Sequence, residues 1–191
     1  MQGFRSRTLL LFLMLSLCTS AALLAQININ ANQTAAAMIN RLVGVGITYT
    51  NPQLTCPNNA SGKFDNGMAS SILIDSGIVL TTGRAATSGT AYGVNGLASD
   101  FASVNNNTNG GDANLAAAAN TTTNNIHDLC KLEFDFIPMG NKISFTYCFG
   151  SEEYPEYVDS RYNDVFGFFI NGPKYHNKNL ATLPLSITPV T

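Results

Sequence analysis

Two stretches of strict alternation stand out in the C-terminal half of the chain. Leu132, Phe134 and Phe136 alternate with Lys131, Glu133 and Asp135, a period of two that buries one face of a strand. Ile143, Phe145, Tyr147 and Phe149 alternate in the same way with Ser144, Thr146 and Cys148. Pro138, Gly140 and Asn141 supply a short turn between them, so the pattern predicts an antiparallel hairpin. Val165 to Ile170 is apolar on both faces apart from Gly167, which predicts a central strand, closed by Asn171-Gly172-Pro173. Leu185 to Thr188 starts a last strand that Pro184 and Pro189 confine to a sheet edge.

The N-terminal half is less regular. Ala35, Met38, Ile39 and Leu42 follow helical spacing within Thr34 to Val43. Asn32 or Thr34 is the candidate cap and Gly44 the stop. Such a short helix must dock on something to persist. Val45, Ile47 and Thr48 predict a strand over Val45 to Thr50, and Asn51, Pro52, Pro57, Asn58 and Asn59 a loop that carries Cys56. Ile72 to Ile74 and Ile78 to Leu80 read as two short strands around an Asp75-Ser76-Gly77 turn. Residues 84–127 are rich in Asn, Thr, Gly, Ala and Ser and nearly lack large apolar side chains, so they form a long loop excursion. Leu115 to Ala119 makes one helical turn at most. The expected fold class is mainly β, an antiparallel β-sandwich or jelly roll, with one short N-terminal helix and a long Asn/Thr/Gly-rich loop.

Composition narrows the setting. Only 12% of residues are charged, about half of the usual share, and the formal net charge is -2. Nothing in this balance favours nucleic acid or an anionic membrane surface. Arg5 and Arg7 precede an apolar run from Leu9 to Leu17, with small residues following, so residues 1–25 read as a signal peptide cleaved after Ala25 or Ala22. The run is marginal in length for an uncleaved membrane anchor. Leu17 before Cys18 argues against a lipoprotein site. Residues 26–32 are polar and expected to be a flexible mature N-terminus, and residues 33–191 the folded domain. Membrane attachment would come only from the signal segment or from an anchor beyond this chain, which reads as a fragment of a longer, secreted or cell-surface protein.

Removing residues 1–25 takes away Arg5 and Arg7, leaving eight of the ten bases against 12 acids. It leaves Cys56, Cys130 and Cys148, and export permits one bridge between two of them. A Cys56–Cys130 bridge is expected, with Cys148 buried and reduced. No Cys/His spacing fits zinc, and His127 and His176 stand alone as surface histidines.

The densest chemistry lies between Phe149 and Ile170. Glu152, Glu153, Glu156, Asp159 and Asp164 crowd one short stretch that holds a single base, Arg161. Pro155 and Gly150 mark a loop between two apolar segments. The bland reading is a solvated acidic loop. The sharper one is an oxygen-rich Ca²⁺ site, with Asp112 of the Asn-rich excursion as a further ligand. Asp164 and Glu153 are the leading ligands.

Several segments also resemble the bacterial choice-of-anchor L domain. These are Ile78-Val79-Leu80-Thr81-Thr82-Gly83, Gly111-Asp112, and Leu132-Glu133-Phe134-Asp135-Phe136-Ile137-Pro138. The most specific is Phe149-Gly150-Ser151-Glu152-Glu153-Tyr154-Pro155-Glu156-Tyr157-Val158, followed by Asn163-Asp164-Val165-Phe166-Gly167-Phe168-Phe169. Asn179-Leu180-Ala181 and Pro184-Leu185-Ser186-Ile187 fit as well, so the likeness covers roughly residues 33–191. It implies an exported bacterial surface protein without established catalysis. The chain departs from the pattern in showing no anchor before Thr191, and in Asn114, where an acid is common; an Asn carbonyl there would make a weaker Ca²⁺ ligand.

Three functions compete on this reading. The first is a non-catalytic surface module for adhesion or for binding an extracellular glycan or protein ligand, ordered by Ca²⁺. Tyr154, Tyr157 and Tyr162 could stack on sugar rings there, although packing is the commoner role. The second is a passive spacer of a larger surface protein. The third is a glycoside hydrolase using Glu153 and Asp164, for which the chain offers no Trp and no visible cleft.

Overall fold

The computed structural model describes residues 27–70, 72–85, 93–94, 110–151, 163–183, 186 and 188–190. The signal segment 1–25 and the Leu185–Thr188 strand expectation fall wholly or largely outside them. The architecture is mainly β and antiparallel throughout. The strands are β1 (Asn28–Ala31), β2 (Ile47–Thr55), β3 (Ser61–Asp65), β4 (Gly77–Leu80), β5 (Gly93–Val94), β6 (Lys131–Pro138), β7 (Phe169–Gly172) and β8 (Tyr175–Asn179). Helix α1 spans Ala35–Leu42 and α2 Ala113–Ala118. One sheet has the order β4-β3-β1-β5; β2 pairs with β6 and β7 with β8 in two further sheets.

The segment expected to be a flexible N-terminus contains β1, an interior strand between β3 and β5. Ile27 and Ile29 are buried there, while Asn28 faces solvent. The alternation is real but spans only two large side chains, and the surrounding Asn residues hide it. Strand β3 had no clear signal. It lies so close to β1 that a Cβ on Gly62 would meet the Asn30 carbonyl oxygen at 2.7 Å, so glycine is required there. Ile27, Ile29, Phe64 and Ala85 form a core cluster, with Ile72, Ile74 and Val79 against it.

Ile72 to Ile74 is not a strand. Leu73 adopts φ 53° and is 69% exposed, which turns it outward while its neighbours Ile72 and Ile74 pack inward. The expected Asp75-Ser76-Gly77 hairpin is therefore absent, and β4 pairs with β3 instead.

Helix α1 matches its sequence signal. Thr34 caps it by accepting the Ala37 N–H at 3.2 Å. Met38 and Ile39 are completely buried. The Tyr49 hydroxyl donates to Asn40 at 2.8 Å, and Arg41 pairs with Asp65 at 3.0 Å, which ties the helix to β2 and β3.

The largest correction concerns β6, which pairs with β2 rather than with residues 143–149. The β2–β6 register runs from Ile47 opposite Pro138 to Thr55 opposite Lys131, with one slip between Thr50 and Gln53. Asn51 (φ 52°) and Pro52 form the bulge, where a missing N–H is tolerated. Asn51 also donates to Asp135 at 2.6 Å. The first part of the expected loop, up to Thr55, is thus a bulged continuation of the strand, while Pro57 to Asn59 form the expected turn. Continued by one residue, the register sets Cys56 opposite Cys130, and these two form the disulfide. Cys148 is free, as expected, but exposed rather than buried.

The bridge joins residues 74 apart in sequence. On the chain-entropy argument, a loop of this size destabilises the unfolded state by about 4 kcal/mol. Replacing both Cys56 and Cys130 by Ser is expected to lower the unfolding free energy by about that amount in urea titrations. The Ile39→Ala change is expected to cost about 3 kcal/mol through lost burial and a residual cavity.

Candidate functional site

The acidic stretch is approached by two segments whose rings lock together. Phe145 stacks on Phe168 with centroids 4.4 Å apart, Tyr147 meets Phe166 at 5.2 Å, and Phe149 meets Phe166 at 6.1 Å. Residues 143–149 thus run antiparallel to 166–168, joined by side chains. The second segment is held by backbone bonds. The Phe166 N–H donates to Val190, and the Leu180 N–H donates to Phe168 at 2.7 Å. Asn179 Oδ1 accepts the N–H groups of Phe168 and Ala181 at 3.1 and 3.0 Å. These polar groups explain why residues 165–168, expected to be strand, stay outside the β7–β8 ladder: their partners are a side chain and isolated bridges.

Where the rings end, the Ser151 hydroxyl donates to Asp164 Oδ2 at 2.7 Å. The two ends of the acidic stretch are therefore held side by side. Glu152, Glu153, Glu156 and Asp159 lie between them and outside the described residues, as do Tyr154, Tyr157 and Tyr162. Asp164 is the one member of that five-carboxylate set whose placement is described. Among the described residues, no three His, Cys, Asp or Glu side chains gather closely enough to hold a metal ion. His127 and His176 are both exposed, as surface histidines should be.

Asp112 has a different job. It is the N-cap of α2, where Oδ1 accepts the Asn114 and Leu115 N–H groups at 2.9 and 3.0 Å. Its Oδ2 pairs with Lys131 at 3.1 Å, and the same ammonium reaches Glu133 at 3.0 Å. The side chain of Asp112 is only 10% exposed. Both oxygens already have partners, so this carboxylate fastens the end of the Asn-rich excursion to β6. Sequence reading overlooked Lys131, which looks like any polar-face residue of an alternating strand. It also overlooked Ser151 and Asn179, whose roles depend on neighbours distant in sequence.

Electrostatics follow from this geometry. Burial pushes the Asp112 carboxyl up, but the Leu115 N–H, the Lys131 ammonium and the Asn114 N–H outweigh it and hold it below its ordinary value. Burial pulls Lys131 down, and Glu133 and Asp112 together raise it above its ordinary value. Asp112 contributes stability that is present above its ordinary value of 3.8 and is lost as pH falls through the lower, folded value. Lys131 contributes stability that is present below 10.5 and is lost as pH rises through its raised, folded value.

The scaffold is a mainly antiparallel β domain, with one disulfide among the described residues and a ring-locked stem that ends at Ser151 and Asp164. No helix among the described residues is long and apolar enough to cross a membrane. The chain belongs to the family of the Choice-of-anchor L domain, whose model matches residues 26–191. The family is one of exported surface-protein domains. Comparison with curated proteins and with solved structures found no match.

Replacing Asp112 by Ala is expected to cost about 1 kcal/mol at neutral pH, the usual worth of an N-cap. Asp112→Asn should keep most of the cap and lose the dependence on acid. Unfolding free energy measured against pH in the wild type should decline below the ordinary carboxyl value, with a smaller decline in Asp112→Asn.

Proposed function

We propose that this chain is a non-catalytic domain of an exported surface protein that binds an extracellular glycan or protein ligand, with Ca²⁺ ordering its acidic segment. The observation that carries the reading is the closed stem. Ser151 and Asp164 meet at 2.7 Å, directly beyond the Phe149–Phe166 contact. Four more acids follow in the stretch this contact closes, with Arg161 the one base among them. Crowded carboxylates repel one another, and a divalent cation removes that repulsion. Hard oxygen donors without a Cys/His cluster favour Ca²⁺ over a transition metal. Asp164, Glu152, Glu153, Glu156 and Asp159 are the ligand candidates; Asp112 is already committed to α2 and Lys131.

Within the stem, Phe145 and Phe168 stack on each other at 15° with centroids 4.4 Å apart. A stacked glycan would use Tyr154, Tyr157 or Tyr162 instead. These belong to the acidic stretch itself, which joins ligand binding to cation ordering.

At free Ca²⁺ about 100 times the dissociation constant, linkage stabilises the fold by about 2.7 kcal/mol. Thermal melting should therefore rise with Ca²⁺ and fall back with a chelator in the wild type, with a smaller response in Asp164→Asn. Identical melting under all conditions would reject the cation. If binding of glycans and surface proteins also failed, the domain would be a passive spacer.

A further inference from the structure

The stretch from Lys142 to Gly150 alternates strictly in sequence yet belongs to no strand. Among the described residues its backbone makes no hydrogen bond, and residues 142–148 are exposed. Its ring contacts fall on the odd-numbered positions Phe145, Tyr147 and Phe149. Phe145 and Tyr147 stack at 6.0 Å, close to the two-residue repeat of an extended chain. The segment is thus shaped as a strand by its side chains while its backbone groups have no protein partner among the described residues. Such groups are a template for another strand.

We propose that residues 146–150 pair antiparallel, about a two-fold axis, with the same segment of a second copy of this chain. The axis passes at Cys148. This register sets Tyr147 against the partner's Phe149, Thr146 against the partner's Gly150, and Cys148 against the partner's Cys148. By symmetry the Tyr–Phe pair occurs twice, and cross-strand aromatic pairs are among the stabilising ones. Charge favours the same direction. Lys142 precedes the segment, and Glu152 and Glu153 follow it in sequence, so antiparallel copies bring opposite signs together. Parallel copies would align like with like.

Cys148 supplies an independent reason to choose a second copy. With Cys56 and Cys130 joined, it is the unbridged cysteine of residues 26–191, and it is exposed. An exposed, unbridged cysteine in an exported chain is open to pairing between chains. Facing Cα atoms of an antiparallel pair lie about 4.5 or 5.5 Å apart, and a disulfide spans either. Two Cys148 thiols form one S–S bond by exchange with a small-molecule or protein disulfide, which leaves as two thiols. The pairing also places two ligand-binding segments on one particle, which raises avidity for a multivalent surface.

The test uses the exported chain as wild type, Cys148→Ser and Thr146→Pro. Sedimentation under reducing conditions should show the wild type and Cys148→Ser dimerising alike, because the ribbon precedes the cross-link. Oxidised glutathione should then give the wild type a dimer on non-reducing gels, with a Cys148–Cys148 peptide and an intact Cys56–Cys130 bridge. Thr146→Pro, which obstructs strand pairing within the segment, should cross-link about tenfold more slowly. A monomeric wild type that takes up glutathione at Cys148 without dimerising would overturn the proposal. Cross-linking of Thr146→Pro at the wild-type rate would do the same. If circular dichroism shows that Thr146→Pro does not fold, the sedimentation of Cys148→Ser decides alone.

Discussion

The Cys56–Cys130 bridge lies one step beyond the last pair of the β2–β6 ladder, and much of the architecture depends on it. A one-residue slip of an antiparallel pair turns every side chain to the other face, so the register must be fixed. The bridge fixes that register on one side of the Asn51–Pro52 bulge, and on the other side Met139 donates to Gly46 at 2.8 Å. β6 pairs with β2, and residues 143–149 do not join it as a hairpin. They are held by Phe166 and Phe168 instead, and their backbone is left exposed.

Low charge is compensated by asparagine. Asn32, Asn51, Asn59, Asn66, Asn120 and Asn177 all take positive φ, a conformation that Asn tolerates better than most residues. Two of them also bind each other. Asn32 donates to the Asn59 side chain at 2.7 Å and accepts the Asn59 N–H at 2.8 Å, which clamps the turn before β3 to the end of β1. The chain turns sharply at these points without needing glycine at each one. A weakly charged, polar surface with rigid turns suits a domain that works outside the cell.

The acidic stretch and Asp112, which looked alike as carboxylates in the sequence, have separate physical roles. Asp112 is nearly buried, and a cap and an ammonium satisfy its charge. Asp164 accepts from a serine hydroxyl at the mouth of an acid-rich segment. The first is a structural fastening. The second closes the two ends of a stretch that holds four more acids in sequence.

The sequence by itself determined whatever depends on local periodicity and chemistry. Met38 and Ile39 at helical spacing, Thr34 as cap and the alternation of Leu132, Phe134 and Phe136 are satisfied within one element, so they could be read before any partner was known. The same holds for the mainly antiparallel class and for the family motifs around Ser151 and Asp164. The tertiary structure decided everything that depends on which elements meet. Period-two alternation at 143–149 shows that one face is apolar, but it does not name the neighbouring strand, and β2 took β6 through long-range pairing and a disulfide. Ile27 and Ile29 carry too short a pattern to reveal β1 until β3 and β5 flank it. Asp112 could be assigned to Lys131 only when α2 was laid against β6, because a carboxylate's role is set by the charges and donors that folding brings within about 3 Å of it.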